Sequence, residues 1–269
     1  MTAGARAPQR DRIAFIFDAL AKEGHVDVDE LAAALHVSTA TVRRDLDGLA
    51  LKQLLIRTRG GAVTNSSTYD LPLHYNALRH ADEKRRIGRA AANRIPPGSV
   101  VGLNAGTTTT EVSRALAVRP DLEGTDRETT LTIVTNAINI AHELTVRSQF
   151  QLVVLGGVVR PASYELIGPL AERALADISL DGVILSANGI SARSGVSCHN
   201  LGEASIARQM LARAKHVTLV LDSSKFGVSC LATLCGLDEV NTVITDDGAL
   251  ELRDTIEALE QARIELVVT

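Results

Sequence analysis

Between Val37 and Leu46 the chain reads Val-Ser-Thr-Ala-Thr-Val-Arg-Arg-Asp-Leu. The Ser38 hydroxyl can accept a bond from a first-turn N–H, which predicts a helix start. Val42, Leu46 and Leu49 then fall at i, i+4 and i+7 and make one apolar stripe. Thr39, Thr41, Arg43 and Arg44 are left on the other faces. Upstream, Asp27 and Glu30 have capping-box spacing and open a short helix through Leu35, with His36 and Val37 as a tight connection. Two short helices across a tight turn, the second with Thr and Arg near its start, fit a helix-turn-helix whose second helix enters a DNA major groove. There Arg can pair with guanine, and Thr can meet a thymine methyl or a phosphate.

Just downstream, Leu54–Val63 (LLIRTRGGAV) joins an apolar run, two alternating arginines and a Gly60–Gly61 turn. This predicts a small β-hairpin wing with Arg57 and Arg59 on one strand face, directed at phosphates or the minor groove. Any single arginine on a helix reads most simply as a solvated charge. Cap, turn, stripe, paired arginines and basic hairpin together favour DNA.

The whole chain argues the other way only if its charge is averaged. Its 269 residues hold 28 Lys+Arg and 32 Asp+Glu, a net charge of −4. Residues 1–65 carry nine basic and eight acidic side chains, a net +1, leaving −5 for the rest. Within Ser38–Gly61, Arg43, Arg44, Lys52, Arg57 and Arg59 face only Asp45 and Asp47, a local +3. A local patch sets the local field. With 45% apolar and 22% charged residues the chain is expected to be globular. It has no run approaching the roughly 18 apolar residues of a membrane span. No export signal is evident at the N-terminus, and Cys198, Cys230 and Cys235 are too few for a disulfide framework, so a cytoplasmic location is expected.

Thr64–Tyr69 is polar and turn-prone and Pro72 follows, so the expected division is a DNA-binding domain over 1–64, a linker over 65–78 and a second domain over 79–269. Before the linker, Ile13, Phe17 and Leu20, then Leu31, Ala34 and Leu35, recur at helical spacing. After it, strands are expected at Val100–Leu103, Leu131–Val134, Leu152–Leu155, Val183–Leu185, Val217–Leu221, Val243–Ile244 and Glu265–Val268. Helices are expected at Glu83–Arg94, Thr108–Leu116, Ala137–Leu144, Pro169–Ala176, Glu203–Ala214 and Leu250–Ala262. Strands apolar on both faces, alternating with helices, imply an α/β domain with a mostly parallel, Rossmann-like sheet.

The turn Asn104-Ala105-Gly106-Thr107-Thr108 follows a strand and opens a helix, where N–H groups and small hydroxyls can hold an anion. Alone it reads most simply as an ordinary strand-to-helix turn capped by Thr. Thr135-Asn136, Gly156-Gly157 and Asp222-Ser223-Ser224-Lys225 end other strands, and in open α/β sheets such ends can converge on a pocket. Lys225 then offers a point charge for phosphate, while Asn136 and Glu203 can select hydroxyls.

The stretches VSTATVRRDL and LLIRTRGGA together resemble the DeoR-type transcriptional regulators, with Ser38, Thr41, Arg43, Arg44, Asp45, Arg57, Gly60, Gly61 and Ala62 on the family pattern. Arg59 departs from it, since family members often carry histidine there. The resemblance implies that Asp45 orients a neighbouring arginine. The pieces NAGTT (104–108), TN (135–136), LGG (155–157), GP (168–169), NGI (188–190), EA (203–204), DSSKFG (222–227) and TD (245–246) resemble the family's sensor domain. That implies a fold shared with ribose-5-phosphate isomerase and the CoA transferases. It also implies a repressor of a carbohydrate operon that binds double-stranded operator DNA as a homodimer or homotetramer and responds to a phosphorylated sugar. Ligand residues are then expected around Asn104, Gly106, Thr107, Thr108, Asn136, Gly156, Gly157, Glu203 and Lys225. Asn104 stands where many members have Asp, and Ala207 where a Lys often follows the Glu-Ala pair.

The alternative is an isomerase-like enzyme fused to a DNA-binding segment. Its base is expected in an Asp-Gly-x-Asp loop, but Asp181-Gly182-Val183 is followed by Ile184, and no lysine lies between Lys84 and Lys215. No catalytic residue is therefore expected. The histidines lack metal-ligand spacing, so neither metal nor cofactor is expected. Cys230 and Cys235 read as buried apolar residues, His142-Glu143 as surface, and Asp246-Asp247 as a turn capping the last helix.

Overall fold

In the computed structural model, which describes residues 8–52, 54–64, 73–123 and 130–269, the chain divides into Met1–Arg79 and His80–Thr269. Local capping starts the helices of the first unit. After α1 (Gln9–Glu23) and β1 (His25–Asp27), Asp27 Oδ1 accepts from the N–H groups of Asp29 and Glu30 and opens α2 (Val28–Ala34). Ser38 Oγ accepts from Thr41 N at 3.2 Å and opens α3 (Thr39–Leu51). The stripe Val42, Leu46, Leu49 is buried against Ile16, Phe17, Leu20 and Leu31. Ile13 lies only at the margin of this core, and Ala34 is exposed because α2 ends there.

The hairpin is β2 (Leu55–Thr58) and β3 (Gly61–Thr64), and β1 adds a third antiparallel strand to β3 that the sequence pattern did not announce. Its turn demands both glycines. Gly60 has φ +88°, and a Cβ on Gly61 would sit 1.9 Å from the Val26 carbonyl oxygen. The expected linker falls partly on residues outside those described. Within it, α4 (Leu73–Asn76) buries Tyr75 against Phe17, with ring centroids 5.4 Å apart.

The second unit runs, in chain order, α5 (Ala81–Asn93), β4 (Val100–Leu103), α6 (Thr107–Ala117), β5 (Leu131–Thr135), α7 (Ile138–Leu144) and β6 (Phe150–Val154). A hairpin of β7 (Val158–Arg160) and β8 (Glu165–Ile167) leads to α8 (Pro169–Leu175) and β9 (Gly182–Leu185). Next come β10 (Gly189–Ser191), β11 (Gly195–Cys198), α9 (Leu201–Ala212), β12 (Val217–Val220) and β13 (Ala232–Cys235), then β14 (Thr242–Thr245), α10 (Arg253–Gln261) and β15 (Glu265–Val268).

All seven expected strands form one parallel sheet in the order β15-β14-β12-β9-β4-β5-β6. Their alternation sorts residues to two cores. Val183, Leu185, Leu219 and Val243 pack with Leu175, Met210 and Leu259 on one face. Ile184, Val220 and Ile244 pack with Ile87, Val112 and Ile140 on the other. Side chains of period two with helices on both sides leave no polar face, as a buried parallel sheet requires. The β7–β8 hairpin and the antiparallel sheet β10-β11-β13 were not expected. Among the described residues no helix is long and apolar enough to cross a membrane.

Candidate functional site

The first unit presents α3 outward. Arg43 and Arg44 are exposed, and among the described residues neither has an ion-pair or hydrogen-bond partner. Thr39 is half-buried at the helix start. Ser38 and Thr41 are tied to each other, their hydroxyl oxygens 2.9 Å apart, so both serve the cap.

Asp45 is almost fully buried and accepts two bonds from the Arg12 guanidinium, at 2.7 Å and 3.0 Å. Its arginine is thus on α1, thirty-three positions earlier, and not the adjacent Arg43 or Arg44. The geometry is a bidentate fork and locks α3 to α1. Nothing local to VSTATVRRDL announces that partner.

The wing arginines part company. Arg57 donates from Nε to Asp47 at 2.7 Å and from Nη1 to the Gly61 carbonyl, bracing the hairpin against α3. Arg59 lies beyond the end of β2, exposed in the turn with Gly60. The two therefore do not share a strand face: the ladder ends at Thr58, so strand alternation no longer governs Arg59.

In the second unit the parallel strands place Asn104, Asn136, Gly156 and Asp222 at their carboxyl ends. Asn104 is a staple: its Nδ2 donates to Ser186 O at 2.9 Å and its Oδ1 accepts from Ser186 N at 2.8 Å. Gly106 has φ +155°, and a Cβ there would lie 2.7 Å from Ser186 Cβ. It opens α6 with no side-chain cap, leaving the first-turn N–H groups near Thr107 and Thr108 for a ligand. Thr107 is half-exposed and Thr108 buried. The hydroxyls of Thr109 and Thr110 turn back to the Gly106 carbonyl. Gly156 is exposed, whereas Gly157 packs on the Ile167 backbone and closes the hairpin.

Lys225 sits half-buried in a single helical turn, Ser223–Lys225, capped by Asp222. Burial pushes the Asp222 carboxyl up, but Lys84 and Lys225, with a Ser224 bond and His80, hold it below the ordinary value. Lys84, on α5, is 4% exposed with Nζ 3.8 Å from Asp222 Oδ2. Sequence reading missed it, although Lys84, Ile87 and Ala91 at i, i+3 and i+7 put a lysine at a core position. His199, held low by burial and then by Lys225 and Arg160, links this cationic end to a second cluster.

That cluster is Asn136, Glu165, Glu203 and Arg160. Glu203 follows the Asn200 cap of α9, and its Oε1 lies 3.2 Å from Arg160 Nη1 without hydrogen-bond alignment. Burial, and next the Glu203 charge, push the Glu165 carboxyl well above the usual carboxylate value, against the pull of Arg160 and Asn136. Neither Glu165 nor Arg160 stood out in the sequence, because their β7–β8 pairing is what aligns them.

Other expectations change. Cys198 and Cys235 are buried, with thiols pushed up by burial to about 11 and about 12, but Cys230 is half-buried with Sγ 3.9 Å from His199 Nε2. Asp246 caps the turn Asp247–Glu251 and accepts from Ser223 N at 2.7 Å, rather than capping α10. Asp181 lies at the amino end of β9, bound to Lys215 at 2.8 Å, so it is at the wrong end of the sheet for this site. A cavity of about 350 Å³ opens at that end. Its polar lining groups Arg94, Asp181 and His216 are already bonded to Glu265, Lys215 and Thr242. Among the described residues no three His, Cys, Asp or Glu side chains converge on a metal position.

Residues 12–68 match the DeoR-like helix-turn-helix domain and residues 79–247 the DeoR C terminal sensor domain. The chain is 31% identical over 264 residues to the HTH-type transcriptional repressor CsqR of Escherichia coli (strain K12), covering 97% of this chain and 95% of that protein. It is 32% identical over 231 residues to the glycerol-3-phosphate regulon repressor of the same organism, covering 86% and 88%. Ribose 5-phosphate isomerase A of Methanocaldococcus jannaschii superposes over 55% of each chain at 17% identity with a TM-score of 0.38, too distant to bear on activity. With both domains matched in order along one chain, and relatives similar over nearly their whole length, the protein belongs to the DeoR family of DNA-binding transcriptional regulators.

Proposed function

We propose that this regulator represses a carbohydrate-metabolism operon and releases its operator when a phosphorylated sugar or related metabolite binds. In this reading residues 1–64 read DNA, 65–78 connect, and 79–269 sense the ligand and assemble the chain into a cytoplasmic homodimer or homotetramer. The carrying observation is that Arg43 and Arg44 stand exposed on α3 with no side-chain partner among the described residues, while Asp45 beneath them is spent on Arg12. A helix held rigidly from below, with bare guanidinium groups above, is built for base edges and phosphates. Arg59 and Gly60 at the wing tip supply a backbone contact beside it.

The sensor reading is supported by Lys225 and Lys84 gathered around Asp222, by the uncapped start of α6, and by Asn136 and Glu203 at other strand and helix ends of the same unit. Relatives named as repressors, one of them of a glycerol-3-phosphate regulon, point the same way. They also weigh against the enzyme alternative, as does the position of Asp181. Regulation requires the ligand to favour one DNA-binding state over the other, and typical couplings are about 5–150-fold in affinity. Fluorescence anisotropy of a promoter-region operator fragment, titrated with a sugar-phosphate panel, tests this. Release by at least one compound is expected. Operator binding that is indifferent to all of them refutes the sensor assignment.

A further inference from the structure

The parallel sheet of the second unit has two edges, β15 and β6, and they are finished differently. At β15, Arg94 bonds Glu265 at one end and Arg86 donates to the Thr269 carbonyl at the other, so charge brackets the strand. At β6, residues 148–159 run without a single charged side chain, in a chain that is 22% charged. Val154 on the strand is 45% exposed, and Val146, Val158 and Val159 are exposed in the segments that enter and leave it. The backbone points the same way. Gln149 O accepts from Thr130 N and Leu155 N donates to Thr135 O, so the odd-numbered residues of β6 turn both groups toward β5. The N–H and C=O groups of Leu152 and Val154 therefore face the open edge, and among the described residues no bond reaches them. Phe150 N is already taken by Arg147 O. Native sheets guard such an edge with Lys, Pro, an inward charge or a covering element, and β6 contains none of the first three.

We propose that β6 is a pairing edge for a second copy of this chain, joined antiparallel to the same strand about a two-fold axis at Val153. This rests on the reading above that residues 79–269 assemble the chain, and adds which surface does so. With the axis there, Leu152 of each copy stands opposite Val154 of the other, and each such pair exchanges both of its N–H···O bonds. The groups of Leu152 and Val154 that β5 leaves open are then all used. The contact is isologous, so both bare edges vanish together and growth along this edge stops at two copies. Open donors and acceptors ask for an extended strand, and the absence of charge says which one. A charged peptide finds no counter-charge along residues 148–159, whereas the same uncharged run in a second copy matches it. Antiparallel pairing also sets the exposed valines that leave one strand toward Val146 ahead of the other, burying apolar surface that a single copy leaves in water.

The test uses the full chain, with light scattering after gel filtration to read its mass. The wild type is expected as an even-numbered oligomer and Val154→Pro at half that mass, because the lost N–H faces the second copy and no bond to β5 is removed. A second variant decides the matter if Val154→Pro fails to fold. Val153→Cys places two thiols across the axis, where partners outside the hydrogen-bonded pairs have Cα atoms about 4.5 Å apart, within disulfide reach. Oxidised glutathione should oxidise these two thiols to one disulfide and be reduced to two glutathione thiols. Non-reducing electrophoresis and peptide mapping should then show a covalent dimer linked through residue 153, which the wild type does not form. A folded Val154→Pro that keeps the wild-type mass overturns the edge while the assembly reading stands. So does an odd-numbered wild-type oligomer, or a Val153→Cys oligomer without that disulfide. A wild type that is monomeric at micromolar concentration overturns the edge and the assembly reading together.

Discussion

Asp45 in the first unit and Glu165 in the second are both buried carboxyl groups, and they are treated in opposite ways. Both oxygens of Asp45 accept from the Arg12 fork, whereas Glu165 keeps one oxygen without a partner. A carboxylate that is fully paired belongs to the scaffold: its task is finished when the chain folds. One that stays unpaired costs stability and persists when something outside the chain completes it. The DNA-reading unit thus hides its satisfied charge and exposes its bare ones, Arg43 and Arg44. The sensor unit adds a different case: beside its buried Lys84–Asp222 pair it keeps buried acceptors such as Asn136 Oδ1 and Glu165 Oε2 that have no partner among the described residues.

The largest expected effect falls on the satisfied side. Asp45→Ala strands the Arg12 guanidinium and should destabilise the first unit by about 3–5 kcal/mol, as breaking a buried pair does. Denaturant unfolding followed with operator binding checks this, and an unshifted midpoint would mean the fork contributes nothing. Arg43→Ala should cost about 1–3 kcal/mol of operator affinity and relax base preference, with unfolding unchanged. A gel shift identical to wild type would remove α3 as the reader. Lys225→Ala should bind operator as wild type does and lose release by sugar phosphate, a coupling of about 1–3 kcal/mol. If release persists in anisotropy titrations, the anion end lies elsewhere.

The smallest effect tests the contrast by pH. A carboxyl whose folded value is raised stabilises the native state below its unfolded value of about 4.3, and that contribution is lost as pH climbs through the folded value. Wild type should therefore lose stability relative to Glu165→Gln as pH rises above about 4.3, read as a falling Tm difference. Asp222, held low, acts in the opposite sense and is lost on acidification, but it is common to both proteins and cancels in the comparison. Parallel Tm profiles would show that Glu165 ionises as an ordinary carboxylate.

Much of the frame was legible because it is written in short-range spacing. Ser38 and Asp27 cap the helices they were expected to cap, and Val42, Leu46 and Leu49 are buried together. The seven sheet strands could be read because runs such as Val217–Val220 are apolar on both faces. The β7–β8 hairpin was hidden, since Val158, Val159 and Arg160 are solvent-facing or charged and gain strand character only by pairing with Glu165–Ile167. Half of the candidate site was likewise visible as strand-end turns, at Gly106, Asn136 and Lys225. Lys84, Arg160, Glu165 and His199 were not, because each sits on a separate element.

What the sequence determined by itself is therefore the local grammar: where helices start, which face is apolar, which runs are strands, and that a basic reader precedes an acidic α/β domain. Only the tertiary structure decided which charges are finished and which are waiting. Asp45 meets an arginine thirty-three residues away, and Arg57 meets Asp47 across from the hairpin. Asn104 is consumed by Ser186, while Asn136 and Glu165 are left short of donors. The reason is that desolvation and hydrogen-bond satisfaction are set by every neighbour the fold brings near, whereas capping and periodicity are settled within a turn or two of the chain.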